Sequence, residues 1–190
     1  MPWRTALYGV HPSRQKIILS NLFFIFAGLW GYGWWADFVP NLAWSQIGLS
    51  TSISLSVVFT TMCYFAIFNG ESSFKPGTPI AAKIFVIFLI PIIFFGIFYI
   101  SITHGIADIA TRTLGNQRTL IVQLSKDHHS SGKSCSYRLE GHSIKNAIPE
   151  YLCTSRVAYD SLPKIGFYEL HILETPLGFH IRNFNIVRDR

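Results

Sequence analysis

Seven histidines, three cysteines and a scatter of serines are the side chains of this 190-residue chain with the means to do chemistry. His128 and His129 stand in a polar stretch with Asp127 and Lys133, and His142, His171 and His180 follow. A metal centre needs three or four ligands converging in a closed geometry. Adjacent histidines on a strand point to opposite faces, and the chain has neither a His-x-x-x-His nor a Cys-x-x-Cys pair. No serine sits in Gly-x-Ser-x-Gly, the turn that lifts a nucleophile clear of a sheet. Ser130-Ser-Gly-Lys-Ser134 looks like the end of a phosphate loop but lacks the upstream glycine and the strand-to-helix setting. No catalytic residue, cofactor-binding residue or metal ligand is assigned, and the chain is expected not to be an enzyme. An envelope hydrolase centred on His128 or His129 is the catalytic alternative.

The cysteines point to a compartment instead of a reaction. Cys63 lies inside an apolar run, where it serves as a small filler. Cys135 and Cys153 form an even pair in the polar half of the chain, and an oxidising compartment would let them bridge.

The elements that must position these residues come in two unlike materials. Of the residues, 49% are hydrophobic and only 14% charged, against a usual quarter, which disfavours a soluble single domain. Disorder is excluded by the same figures. All five Trp lie at or before Trp44, and 13 of the 16 Phe at or before Phe98. From Gly105 onward stand 11 of the 16 Lys and Arg and 8 of the 10 Asp and Glu. The boundary is placed there: residues 1–104 form a membrane domain and residues 105–190 a soluble one. The formal charge of +6 brings no basic stripe, so nucleic acid is set aside as a partner.

Three segments of the first part have the length to cross a bilayer, which takes about 20 mainly apolar residues. They run over about 17–35, 47–68 and 79–102, and their single charge is Lys83, placed to snorkel. The second is the least greasy. Ser52, Ser56 and Thr60 recur every four residues on it and share one stripe, which suits a helix-packing face. The same stripe is the basis of an alternative, a small transporter or channel subunit. Pro91 should kink the third segment near its middle.

Arg4, Arg14 and Lys16 precede the first span, and Lys75 and Lys83 lie between the second and third, whereas Ala36 to Gln46 has no basic residue. The positive-inside rule then puts the amino terminus and second loop in the cytoplasm, and the first loop and carboxyl-terminal domain outside. Trp30, Trp34, Trp35 and Trp44 gather at the outer end, where such rings favour the headgroup zone. The first span reads as an anchor, not a cleaved signal, because bulky aromatics follow it in place of a small-x-small site. A multi-pass protein of the bacterial inner membrane is expected.

Beyond the boundary, Arg118–Ser125 and Ser136–Glu140 alternate like a hairpin around a polar turn. Residues 144–152 suggest a short helix, and residues 157–162 are ambiguous. Gly166–Leu173 and Phe179–Val187 alternate again around Pro176 and Gly178, both turn residues. Four or five strands, mostly antiparallel, are expected. His104, Asp108 and Arg112 have one-turn spacing and would line an exposed helical neck if the third helix continues outward.

The fold class is therefore an integral membrane protein with three transmembrane helices followed by a small, mostly antiparallel β-rich extracytoplasmic domain. This layout is similar to that of several kinds of small bacterial inner-membrane protein, including immunity proteins against secreted toxins. The likeness covers architecture and carries no residue across. The expected function is a non-enzymatic, membrane-anchored binding protein that presents its β domain to a protein partner, either for immunity or exclusion or as an accessory of an envelope complex. Exposed edge strands such as Phe179–Val187 would offer a surface for strand addition.

Overall fold

The computed structural model of the chain describes residues 14–68, 77–129 and 135–187. It contains apolar helices and one curled antiparallel sheet of six strands. Helix α1 is Arg14–Gly33, a short strand β1 is Phe38–Pro40, and α2 is Leu42–Phe68. Helix α3, Ile80–Ile100, runs without a break through a π-helical segment, Ser101–Ile106, into α4, Ala107–Leu114. Strands β2 (Asn116–His128), β3 (Tyr137–Glu140) and β4 (Leu152–Cys153) follow. A short helix α5 (Arg156–Ser161) then leads to β5 (Ile165–Thr175) and β6 (Gly178–Ile186).

Two helices are long and apolar enough to cross a membrane: α2, and the continuous run Ile80–Leu114. At 1.5 Å per residue the 27 residues of α2 span about 40 Å, more than the hydrocarbon core requires. The apolar part of α1, Ile17–Gly33, is shorter. Helix α2 begins at Leu42, five residues before the expected start. The reason is Asn41, whose side-chain oxygen accepts a 2.7 Å hydrogen bond from the amide of Trp44 and so caps an otherwise orphaned donor.

The three helices meet in an aromatic core. Phe98 is fully buried, with ring centroids 4.9 Å from both Phe26 of α1 and Phe59 of α2, each edge-on. Where the π-helical segment crosses α1, the backbones touch: a Cβ on Gly105 would lie 2.7 Å from the carbonyl oxygen of Leu29. Ser101 secures this crossing by donating to the carbonyl of Phe26 at 2.7 Å.

The sheet order is β1-β6-β5-β2-β3-β4, and every adjacent pair is antiparallel. Its inner face buries Val122, Leu124, Leu139, Tyr168, Leu170 and Ile172. Strands β2 and β3 pair as expected, with Ser125 opposite Glu140; the pairing runs on to His128, and residues 130–134 of the expected turn lie outside the described residues. Two expectations need correction. The connection Ala36–Gln46 is not a bare loop, since its residues 38–40 are an edge strand of the carboxyl-terminal sheet, paired with Gly178–His180. Residues 144–152 are not a helix: a 3-10 turn ends at Ile144, and Pro149 has no amide to continue a helical ladder. Residues 156–161, ambiguous in sequence, are helical, with Ser155 accepting from the amide of Ala158 at 3.2 Å.

Candidate functional site

Two polar features set the junction between helices and sheet apart from the surrounding apolar packing. The first is a buried carboxylate. Asp108 of α4 is fully buried, and it collects partners from its own helix and from two other elements. The Tyr32 hydroxyl of α1 donates to its Oδ2. Arg112 Nε lies 2.7 Å from the same oxygen, and His180 Nδ1 of β6 lies 2.8 Å from Oδ1. The geometry of the His180 contact is a close electrostatic approach and not an in-line hydrogen bond, since Oδ1 and Nδ1 otherwise lack partners. Asp37, just before β1, stands within the field of these charges. Its carboxyl is pushed above the ordinary Asp range, chiefly because surrounding protein removes water from it even though part of the residue stays open to solvent; His180 and Arg112 pull the other way.

Two residues of the expected exposed neck, His104 and Asp108, are therefore buried, while Arg112 keeps to the surface. The sequence does place His104, Asp108 and Arg112 on one continuing helix, and the Asp108–Arg112 pair forms. Yet His104 is also buried, its ring held between Thr103 Oγ1 at 2.8 Å and the Asn146 carbonyl at 3.3 Å. Burial follows from β1, whose Phe38 packs edge-on to the His104 ring with centroids 6.4 Å apart. Asn41 adds a second tie, with its side-chain amide donating to Pro176 O and its backbone amide to Leu177 O at 3.0 Å. Tyr32 and Asn41 escaped sequence reasoning because their partners lie 76 and 135 residues away.

The second feature is a cavity of about 270 Å³ on the sheet, bordered by β4 and β6. Leu152 and Cys153 line one wall, Ile181 and Phe184 the other, and Trp35 and Asp37 one end. The two strands are not neighbours in the sheet order, so the curl of the sheet brings them to one opening. Strand β1 covers β6 only as far as His180, followed by a bond from the Ile181 amide to the Asp37 carbonyl at 2.9 Å. The edge of β6 beyond that point has no strand partner among the described residues, and neither does the outer edge of β4. The Phe184 amide is taken instead by the side-chain oxygen of its own neighbour Asn183, at 2.8 Å. Arg138 lies over the Tyr151 ring, 4.0 Å from its centroid, and its Nε donates to the Cys135 carbonyl at 2.9 Å.

Cys135 and Cys153 pair as a disulfide on the wall of this cavity, with Cα atoms 5.9 Å apart. Ser52, Ser56 and Thr60 are all buried on α2. Ser52 donates back to the Gly48 carbonyl at 2.6 Å, and Ser56 reaches across to the Pro91 carbonyl of α3 at 2.9 Å. Cys63 is a free, half-buried thiol. Among the described residues the histidines do not converge: His128 lies tilted beside Tyr137, His142 starts a 3-10 turn, and His171 meets Asn185 at 3.2 Å. Among the described residues no group of three or more His, Cys, Asp or Glu is arranged to hold a metal ion.

No family model, curated protein or solved structure matches this chain, so its functional reading rests on this geometry.

Proposed function

We propose that this chain is a multi-pass, membrane-anchored, non-enzymatic binding protein that holds its β domain outside the cytoplasmic membrane and offers it to a protein partner. An immunity or exclusion role is one form of this reading, and an accessory subunit of an envelope complex is the other. The observation that carries it is the pairing of β1 with β6. A segment between the first two apolar helices shares a sheet with strands that follow the third. Both must then lie on one side of a bilayer, as follows when α2 and α3 each cross it once.

The remaining support comes from charge and redox chemistry. Arg4, Arg14, Lys16, Lys75 and Lys83 flank the opposite ends of the helices, and positive flanks stay in the cytoplasm. The Cys135–Cys153 disulfide suits an oxidising compartment. A transporter subunit would need Ser52, Ser56 and Thr60 along a path, whereas the hydroxyls of Ser52 and Ser56 are engaged with the carbonyls of Gly48 and Pro91, which supports a packing role.

Reporter fusions test the reading. An enzyme active only outside the cytoplasm should work when joined after Asp37 or after Arg190 and fail after Ser73. Chemical cross-linking in intact cells should then trap a protein partner on the β domain. A cytoplasmic signal at Arg190 would overturn the reading, as would a β domain that stays folded and cross-links to nothing.

A further inference from the structure

Strands β4 and β6 border one cavity, and among the described residues each keeps one edge without a strand partner, so an extended backbone entering there meets open main-chain groups on both. The β6 edge is open only after Ile181, because β1 already occupies Gly178–His180. That narrows the Phe179–Val187 surface expected from sequence to its second half. On this edge, the Phe184 amide is held by a side chain two bonds from its own backbone, a cap that an incoming carbonyl displaces without breaking any strand pairing.

Size and charge select the occupant. At about 270 Å³ the cavity falls below the roughly 300–1,000 Å³ of small-molecule pockets, so it suits one or two side chains of a longer chain, not a whole ligand. Its apolar wall is Leu152, Ile181 and Phe184. The cation on the wall is Arg182; Arg138 lies outside the lining, over the ring of Tyr151. Arg182 is exposed and joins no ion pair among the described residues. Among the described residues that line the cavity the one acid is Asp37, within the field of Arg112.

We propose that the opening between β4 and the uncovered half of β6 takes one extended segment of a partner protein as an added strand, an apolar side chain entering the cavity and an acidic neighbour meeting Arg182. The proposal rests on the binding-protein reading and names the partner's chemistry. Main-chain pairing supplies affinity in such an arrangement and the side-chain pocket supplies selectivity. The acidic requirement makes association depend on salt.

A displayed library of random twelve-residue peptides, selected on the full-length chain in lipid nanodiscs, tests it. Enriched peptides should alternate apolar residues with Asp or Glu. Arg182→Glu should weaken the best of them about tenfold at low salt. N-methylation of a single central peptide amide, which leaves the protein untouched, should weaken it at least as much, while methylation at a flank should not. Asn183→Ala, which frees the Phe184 amide, should tighten binding. Selection that yields no binder overturns the proposal, as do binders indifferent to both Arg182→Glu and N-methylation. If a partner trapped in cells stays bound to the Arg182→Glu chain, the binding reading stands and the strand position falls.

Discussion

The phenolic hydroxyl of Tyr64 on α2 donates a 2.6 Å hydrogen bond to the carbonyl of Ile87 on α3, the acceptor four residues before Pro91. Proline has no amide, so this carbonyl lacks its helical partner. Ser56, two turns earlier on α2, donates to the carbonyl of Pro91 itself. The carbonyl left open by the proline is thus answered from the neighbouring helix, and Ser56 adds a second contact on the same face.

Removing that answer should cost stability. Tyr64→Phe leaves the Ile87 carbonyl unsatisfied and is expected to destabilise the helix bundle by about 1 kcal/mol. Tyr99→Phe, whose ring stacks on Phe95, serves as the comparison and should cost less. Ser56→Leu adds volume to a buried contact as well as losing a bond, and should cost about 1–3 kcal/mol more than the volume-conserving Ile87→Leu. Unfolding in mixed detergent micelles, read by tryptophan fluorescence, would measure all four. Equal stabilities for Tyr64→Phe and Tyr99→Phe would remove the cross-helix bond from the account.

The Asp108 clasp should respond asymmetrically to substitution. Asp108→Ala strands His180, Arg112 and Tyr32 around an empty acceptor position, and breaking a buried pair from one side costs about 3–5 kcal/mol. Arg112→Ala removes a partner whose side chain is 46% exposed, and should cost under about 1 kcal/mol. His180→Gln, which keeps a donor on β6, should fall between them. Thermal unfolding followed by circular dichroism would rank the three variants, and a larger loss for Arg112→Ala than for Asp108→Ala would contradict the geometry.

Gly178 is required by the approach of β1. Its φ is +148°, and a Cβ there would press on the backbone of Val39 and Pro40 and on the ring of Phe38. Gly178→Ala is expected to cost about 1–3 kcal/mol and to loosen β1 before the rest of the sheet. Limited proteolysis should then cut within residues 36–46 in the variant under conditions where the parent chain is intact. A variant as resistant as the parent would show that β1 needs no glycine opposite it.

Thiol labelling of the denatured, unreduced protein should reach Cys63 alone, with Cys135 and Cys153 bridged across an 18-residue separation. Reduction is expected to destabilise the sheet by about 3 kcal/mol in the chain-entropy account. Because the bridge borders the gap between β4 and β6, reduction should also weaken any peptide held there. Three reactive thiols in the unreduced protein would exclude the bridge and remove one support for an oxidising compartment.

For Asp37 the pH dependence has a defined sign. A carboxyl raised in the folded state contributes stability that is present below the ordinary Asp value near 3.8 and is lost as pH rises through the raised value. Asp37→Asn should therefore flatten the stability profile from pH 4 to neutrality without lowering stability at pH 7. A variant that is less stable than the parent at pH 7 would mean that the carboxylate is favoured by His180 and Arg112 after all.

What could be read from the amino-acid sequence alone was whatever depends on neighbours a few residues apart. The long apolar runs, the split between greasy and polar halves, the alternation in β2, β5 and β6, and the one-turn spacing of Asp108 and Arg112 all fall within that range. Hydrophobic periodicity and length determine such features locally. Tertiary structure alone decided the rest. Val39 gave no sign of belonging with Phe179, because a three-residue strand has too little alternation to register and its partner lies 140 residues away. Asp108 looked like one half of a surface ion pair until α1 brought Tyr32 and β6 brought His180 to it. The cavity between β4 and β6 exists because the sheet curls, and curl is a property of six strands packed around one core, not of any strand by itself.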